Sequence, residues 1–333
     1  MKLIDIIIPV YKAELTLAKA LSSIAMQSIT DSLKVTIVND GDGIDYSQII
    51  DPFKKFIDIE ELRLEKNGGP GIARQYGIDN TLCKYIAFVD ADDTLYGAFA
   101  MEMLLMSADS SPQCNMVVGE HYESNHKPEL VFMHYKTNYV WVFAKLYRRS
   151  FLEKYNIRFN TSRINEDVAF NRMIELVTVD KIENPVVLDK VIYCWHDNQS
   201  SITRSDSTFL YGVNFEGYVW NMIYALKTAG RVRKDNKQLI LHKSIITMFD
   251  IYIYFMDCLD KAPQFAESNF KFCVEYYNQI FQLLEMTQDS HFLRTTISNH
   301  IKNKGEELSK TYLQTSYPDF IIQLREASKK DVI

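Results

Sequence analysis

Apolar positions fall into short unbroken runs over the first half of the chain and into helical stripes over the last third. Residues 3–10 form a β-branched-rich run ended by Pro9. Residues 14–27 then place Leu17, Leu21 and Ile24 at helical spacing, which predicts a first β–α unit. The pattern repeats with a strand over 33–38, a helix over 47–56, a strand over 62–64 and a helix over 72–81. It reaches Tyr85-Ile86-Ala87-Phe88-Val89, a run too short for a helix and bounded by polar residues, as in a strand covered on both faces. This alternation predicts a parallel, right-handed α/β sheet, and ligands of such sheets collect at the carboxyl ends of the strands.

The pattern then loosens. A helix near 98–107 and a strand near 115–119 precede extended pieces around 130–133 and 140–143, and Ala144-Lys145-Leu146-Tyr147-Arg148-Arg149 leads into a short helix. Asn165 is placed as the N-cap of an amphipathic helix beginning Glu166-Asp167. Residues 186–188 and 191–195 read as a hairpin or consecutive strands that deliver His196 into a polar loop. From about residue 208 helical periodicity takes over, with helices expected over 209–228, 237–259, 265–285 and 318–329. The aromatic piece 249–256 reads as core in preference to an acceptor groove or a dimer contact.

Composition narrows the class. The 333 residues are 47% apolar and 24% charged, which is globular, and the net charge of −6 disfavours broad nucleic-acid or anionic-membrane binding. The basic stretches at Arg148-Arg149 and 231–237 read as solvated surface. Five widely spaced cysteines without a Cys-x-x-Cys pair suggest neither a disulfide framework nor a thiolate zinc site, so reduced, cytoplasmic thiols are the expectation. The first apolar run is interrupted by Asp5 and lacks a cleavage site, so it reads as a strand and not a signal peptide. No apolar stretch is long enough to span a bilayer.

The chemistry concentrates at Asp90-Ala91-Asp92-Asp93, directly after the central strand. Three acids in four residues repel one another, and hard oxygen donors suit Mg²⁺ or Mn²⁺, which in turn would neutralise a phosphate. The alternative is that Asp93 or Thr94 caps a following helix. Asn67-Gly68-Gly69-Pro70-Gly71 offers backbone N–H groups to a phosphate but is neither a dinucleotide fingerprint nor a P-loop. Arg74 points a cation toward the same edge or is an ion-paired surface residue. Glu166-Asp167 has a sufficient structural explanation in the helix macrodipole, and a lone His196 is either a loop residue or a metal or diphosphate contact.

Taken in order, Ile8-Pro9-Val10-Tyr11, Asn39-Asp40-Gly41, Asn67-x-Gly69-x-x-x-Ala73-Arg74-x-x-Gly77, Asp90-Ala91-Asp92-Asp93 and Glu166-Asp167 resemble a family 2 glycosyltransferase. The resemblance covers roughly residues 1–205. It implies an α/β, GT-A-type, Rossmann-like mixed sheet sandwiched by helices: a nucleotide-binding half over 1–95 and an acceptor half over 96–205, with a helical extension over 206–333. It implies a metal-dependent, inverting transfer of sugar from a nucleotide donor, a UDP-sugar first, to a saccharide or lipid-linked saccharide, as in cell-surface polysaccharide or glycoconjugate assembly.

Carried over by position, Pro9, Tyr11, Asp40, Asn67, Gly69, Arg74, Asp90 and Asp93 surround the donor, with Asp40 accepting a uracil N–H, Asp90 at the ribose and Asp93 beside the sugar. Asp92 holds Mn²⁺ or Mg²⁺, with His196 as a further metal candidate. Asp167 is the base, and Trp141, Lys145 and Glu166 lie on the acceptor side. Lys12, Asp42 and Gln75 depart from the family's frequent Asn, Ser and Asn. The partners expected are the donor, the acceptor and a second copy through the C-terminal helices, with no nucleic acid and no transmembrane segment; the expected location is the cytoplasm or the inner membrane face. The competing readings are a sugar-phosphate nucleotidyltransferase, against which the first strand's loop carries no glycine, and a non-catalytic nucleotide-sugar-binding protein.

Overall fold

The computed structural model describes residues 2–124, 132–135, 140–178, 184–197, 211–235, 237–285, 295, 298–303 and 314–330. The chain divides into two compact units, Met1–Asn171 with Asp180–Gln199, and Arg172–Val179 with Ser200–Ile333.

Among the described residues the first unit is built on one nine-stranded sheet. Strands β1 (Ile4–Val10), β2 (Leu33–Asn39), β3 (Asp58–Arg63) and β4 (Tyr85–Phe88) are parallel in the order β3-β2-β1-β4. The sheet continues through β8 (Lys145–Arg148), β6 (Met116–Ser124), β9 (Val186–His196) and the two-residue β5 (Thr94–Leu95), while β7 (Phe132–Tyr135) pairs with β6. The chain runs outward from β1 to β3 and returns to β4 on the other side of β1. That reversal opens a crevice at the strand ends, where Val10, Asn39 and the residues after Phe88 meet.

Period-two alternation decides which layer each side chain joins. Ile4, Ile6, Ile8 and Val10 of β1 enter the core with Leu17, Leu21 and Ile24 of α1 (Leu17–Ala25), together with Met101 and Leu104 of α4 (Ala100–Ser110). Ile7 points the other way. A Cβ added at Gly77 of α3 (Pro70–Asn80) would lie 2.6 Å from its Cγ2, so the glycine permits the helix to press on the sheet. On that face Phe88 meets Tyr147, Phe159 and Phe170 at centroid distances of 5.5–6.1 Å.

Several expectations shift. The helix expected over 47–56 is α2 (Ser47–Ile50) followed by a 3₁₀ turn. The third strand begins at Asp58, and its half-exposed polar pattern suits a sheet edge and hid it from a search for apolar runs. Val140–Phe143 is not a strand, and the lysine-led stretch read as a helix approach is itself β8, continuing into α5 (Arg149–Lys154). Residues 186–196 form one strand with register irregularities against β6 in place of two. Of the piece at 130–133, residues 130 and 131 lie outside the described residues and 132 and 133 open β7. Arg148 and Arg149, expected as solvated surface, are half-buried: Arg148 donates to the Cys114 carbonyl and Arg149 to that of Cys83, each at 2.8 Å.

The second unit is helical, with α7 (Val213–Val232), α8 (Lys237–Lys261), α9 (Ala266–Glu285) and α10 (Tyr317–Lys330); the expected start at 209 lies outside the described residues. The aromatic piece on α8 is core. Tyr252 is fully buried and packs on Tyr317 and Phe320 at 4.9 and 5.3 Å. Among the described residues no helix is long and apolar enough to cross a membrane.

Candidate active site

The acids that follow β4 do not cap a helix, because the residues after Asp93 form β5. Asp93 turns inward and is 1% exposed. Its Oδ2 accepts the Tyr193 hydroxyl at 2.7 Å and its Oδ1 accepts the His196 N–H at 2.8 Å. Burial, with Asp90 and Asp92 beside it, pushes this carboxyl well above the usual range. Asp93 therefore clamps the acidic turn to β9, and the side chain expected beside a donor sugar is sealed beneath it. Asp92 stays half-buried in the same turn.

Asp90 is held from two sides. Its N–H donates to the Tyr193 hydroxyl at 3.2 Å, and its Oδ1 accepts from Arg74 Nη2 at 2.6 Å. Arg74, one turn into α3 and 5% exposed, gives its other arm to Glu166 Oε1 at 2.8 Å and rests over the Phe159 ring. Burial alone would weaken the guanidinium's charge, but Asp90 and Glu166 outweigh it and hold the group firmly protonated. The arginine is thus neither a surface residue nor an open cation.

Glu166 and Asp167 begin α6 (Glu166–Thr178), and Asn165 stands before them at a φ of +59°, its carbonyl accepting the Ala169 N–H at 3.2 Å. Glu166 reaches Arg74 because position 71 is glycine: a Cβ there would fall 2.6 Å from Glu166 Cγ. Glu166 is buried, and its carboxyl is raised by that burial despite Arg74. Asp167 is less covered. Desolvation first, then the neighbouring Glu166, push its carboxyl up to about 7, against the partial relief of Arg74 and a 2.8 Å bond from the Val168 N–H. A carboxylate poised near neutrality at a crevice is suited to take a proton.

Lys145 is 2% exposed and donates to the carbonyls of Trp141 and Phe143, so it braces this loop from within and does not face an acceptor. Burial pulls its ammonium down to about 7, with Asp167 partly restoring the charge. Trp141 is 40% exposed, its carbonyl also taken by Asn171 at 2.9 Å.

On the other side of the crevice Asp40 is buried, with its oxygens accepting the N–H groups of Gly68 and Gly69, each at 2.8 Å; desolvation raises its carboxyl against these bonds. Those two N–H groups of the Asn67–Gly71 loop are therefore spent on Asp40, which corrects the phosphate-cradle reading. Asn67 keeps its place through its carbonyl, which accepts from Arg163 at 3.2 Å, and Gly69 adopts a φ of +92°. Pro9 pairs with Val38 near the end of β1, and Tyr11 is 45% exposed just beyond it.

The departures from the family's frequent residues are accounted for locally. The backbone N–H of Lys12 donates to Asp42 Oδ2 at 2.8 Å, which ties Asp42 to the loop after β1, and Asp42 also receives the Tyr46 hydroxyl at 2.6 Å. Gln75 accepts the Phe159 N–H at 2.9 Å.

Among the described residues no three His, Cys, Asp or Glu side chains converge as a metal cage. An all-oxygen turn holding Asp92 still fits Mg²⁺ or Mn²⁺, which bind through one or two carboxylates and complete their shell with water and substrate phosphate. His196 fits less well: its Nε2 lies 2.9 Å from the Thr94 hydroxyl and its Nδ1 3.0 Å from that of Ser124. The site residues missed by sequence reasoning are Tyr193, Phe159 and Asn171, since a lone aromatic in a strand or an asparagine within a helix carries no signal of its own.

A parallel half with β1 beside the reversal, an acidic turn after β4 and an acidic helix start joined to it by Arg74 set the site at the carboxyl ends of the strands. The model of Glycosyl transferase family 2 matches residues 5–171, and the chain belongs to that family. The uncharacterized glycosyltransferase EpsJ of Bacillus subtilis is 29% identical over 224 residues, covering 61% of this chain and 63% of that protein, so the match spans less than two thirds of the relative. Among solved structures, S. aureus TarS 1–349 in complex with UDP-GlcNAc superposes with a TM-score of 0.67 at 16% identity, over 94% of this chain and 93% of that one. The mannosyltransferase PcManGT from Pyrobaculum calidifontis, in complex with GDP-Man and Mn²⁺, gives 0.51 at 10% identity over 98% and 87%. The fold is GT-A-like, and the family is that of glycosyltransferases.

Proposed function

We propose that the protein is a glycosyltransferase that moves a sugar from a UDP-linked donor to a hydroxyl of a saccharide or lipid-linked saccharide, with inversion at the anomeric carbon. The observation that carries the reading is the bridge Asp90–Arg74–Glu166, which ties the acidic turn to the start of α6 and leaves the Asp167 carboxyl near 7 beside it. Asp167 takes the acceptor's hydroxyl proton as that oxygen bonds to the anomeric carbon, and the bond to the diphosphate oxygen breaks with its electron pair on the leaving group. Asp92 would hold Mn²⁺ or Mg²⁺, which would supply charge neutralisation at the diphosphate.

Arg74 keeps both halves of this arrangement in register. Tyr11 and the Asp40 loop border the nucleoside, and Trp141 offers an exposed ring to a sugar face. The UDP-GlcNAc bound by TarS favours a UDP donor, and the GDP-Man bound by PcManGT makes GDP-sugars the comparison to run. The test is a panel of UDP- and GDP-sugars with Mn²⁺, read by nucleoside diphosphate release. Release from UDP-sugars is expected, and neither binding nor release across the panel overturns the proposal.

A further inference from the structure

Ring contacts run in a line from the surface to the acidic turn. Trp141 stacks on Phe143 with centroids 6.3 Å apart at 14°, and Phe143 stacks on Tyr193 at 4.6 Å and 7°. Tyr193 is fully buried, and its single hydroxyl serves two members of the turn: it donates to Asp93 Oδ2 at 2.7 Å and accepts the Asp90 N–H at 3.2 Å. Burial and the neighbouring acids raise this phenol well above its usual range, so it remains a donor.

The outer end of the line is braced as carefully as the inner one. Lys145 donates to the carbonyls of Trp141 and Phe143, and Asn171 donates to those of Val140 and Trp141 at 3.0 and 2.9 Å. Ala144 takes a φ of +55°, a left-handed conformation that a non-glycine residue adopts at a cost and that returns the chain to β8. A loop of no regular structure is thereby tied through its carbonyls to two side chains, with its rings directed along one stack.

We propose that Tyr193 is a positioning residue for transfer, setting the Asp90–Asp93 turn for the donor diphosphate, and that the Trp141–Phe143–Tyr193 column is the rigid spacer that keeps it there. The inference rests on the proposed donor chemistry and adds a residue outside the family's motifs. Tyr193 touches no substrate and acts through Asp90 and Asp93. Removing its hydroxyl leaves the Asp93 carboxyl with one donor fewer and the Asp90 N–H without its acceptor, so the turn loses its definition while the sheet around it is intact.

Tyr193→Phe preserves the stack and deletes the hydroxyl. The expected result is a loss of about tenfold in UDP affinity with Mn²⁺ by calorimetry and a matching rise in donor KM, while kcat and acceptor KM stay within about twofold. A merely structural role would lower the active fraction, and hence kcat, at unchanged donor KM; that pattern, or parental UDP affinity, overturns the proposal. Phe143→Leu removes the middle ring and keeps the hydroxyl. It should raise donor KM about threefold, and it decides the matter if circular dichroism shows Tyr193→Phe unfolded: a folded Phe143→Leu protein with parental donor KM overturns the column. A parent that binds neither UDP nor GDP with Mn²⁺ sinks the functional reading itself, an outcome visible before any variant is made.

Discussion

Arg74 and Glu166 stand 92 positions apart in the chain and 2.8 Å apart in the fold, with Asp90 on the guanidinium's other arm at 2.6 Å. This three-residue bridge joins the acidic turn to α6, with Arg74 and Glu166 buried and Asp90 partly exposed. A buried ion pair adds little net stability, but removing one partner is costly because the other charges remain unpaired.

Arg74→Met should therefore destabilise the protein by about 3–5 kcal/mol. Urea denaturation checks the value. Arg74→Met with Glu166→Gln should recover part of the loss, because one stranded carboxylate is neutralised; no recovery would mean that the bridge is not the source.

Asp167→Asn should fold, bind UDP with Mn²⁺ like the parent and lose transfer by roughly 10²–10⁴. In the parent, the rate should climb as pH rises through about 7, where Asp167 loses its proton. The linkage runs the other way: the folded carboxyl holds its proton up to about 7 and the unfolded one only to about 3.9, so its contribution to stability falls as pH rises through that window. The Asn variant should lack that decline and be at least as stable as the parent at pH 8, measured by thermal unfolding.

Asp92→Ala should remove the Mn²⁺ dependence of UDP binding while leaving thermal stability within about 0.5 kcal/mol, the usual range for a change away from the core. Calorimetric titration of UDP with and without Mn²⁺ decides it. Metal dependence equal to the parent's would take Asp92 out of the mechanism.

Lys145 gives a pH signature of opposite sign. Its folded ammonium loses its proton near 7 and its unfolded one near ~10.4, so stability should rise between those values as the unfolded state alone holds the proton. Lys145→Met should flatten that rise. Denaturation midpoints at pH 7 and pH 9.5 test it, and identical slopes in parent and variant would show that Lys145 is not the group responsible.

By itself the sequence determined the parallel β–α half, the acidic turn at the end of the central strand and the family. Each of these is local: a run of apolar residues, a period, or a motif at fixed spacing is written in consecutive positions. It also marked Lys12, Asp42 and Gln75 as unusual, but not that Asp42 accepts the backbone N–H of Lys12, because that bond joins the loops after two different strands.

Tertiary structure alone decided what each motif residue faces. Asp93 and Asp92 are neighbours in sequence, yet one is buried under Tyr193 and the other half-buried in the turn, a difference set by β9 arriving from a hundred residues away. The Asp167 carboxyl near 7 is likewise not a property of Glu-Asp at a helix start, where the macrodipole favours the charged form. It arises because α3, β4 and α6 converge, withdrawing water from the Glu166–Asp167 pair and bringing Asp90 close to it, and burial and like charge act through space without regard to distance along the chain.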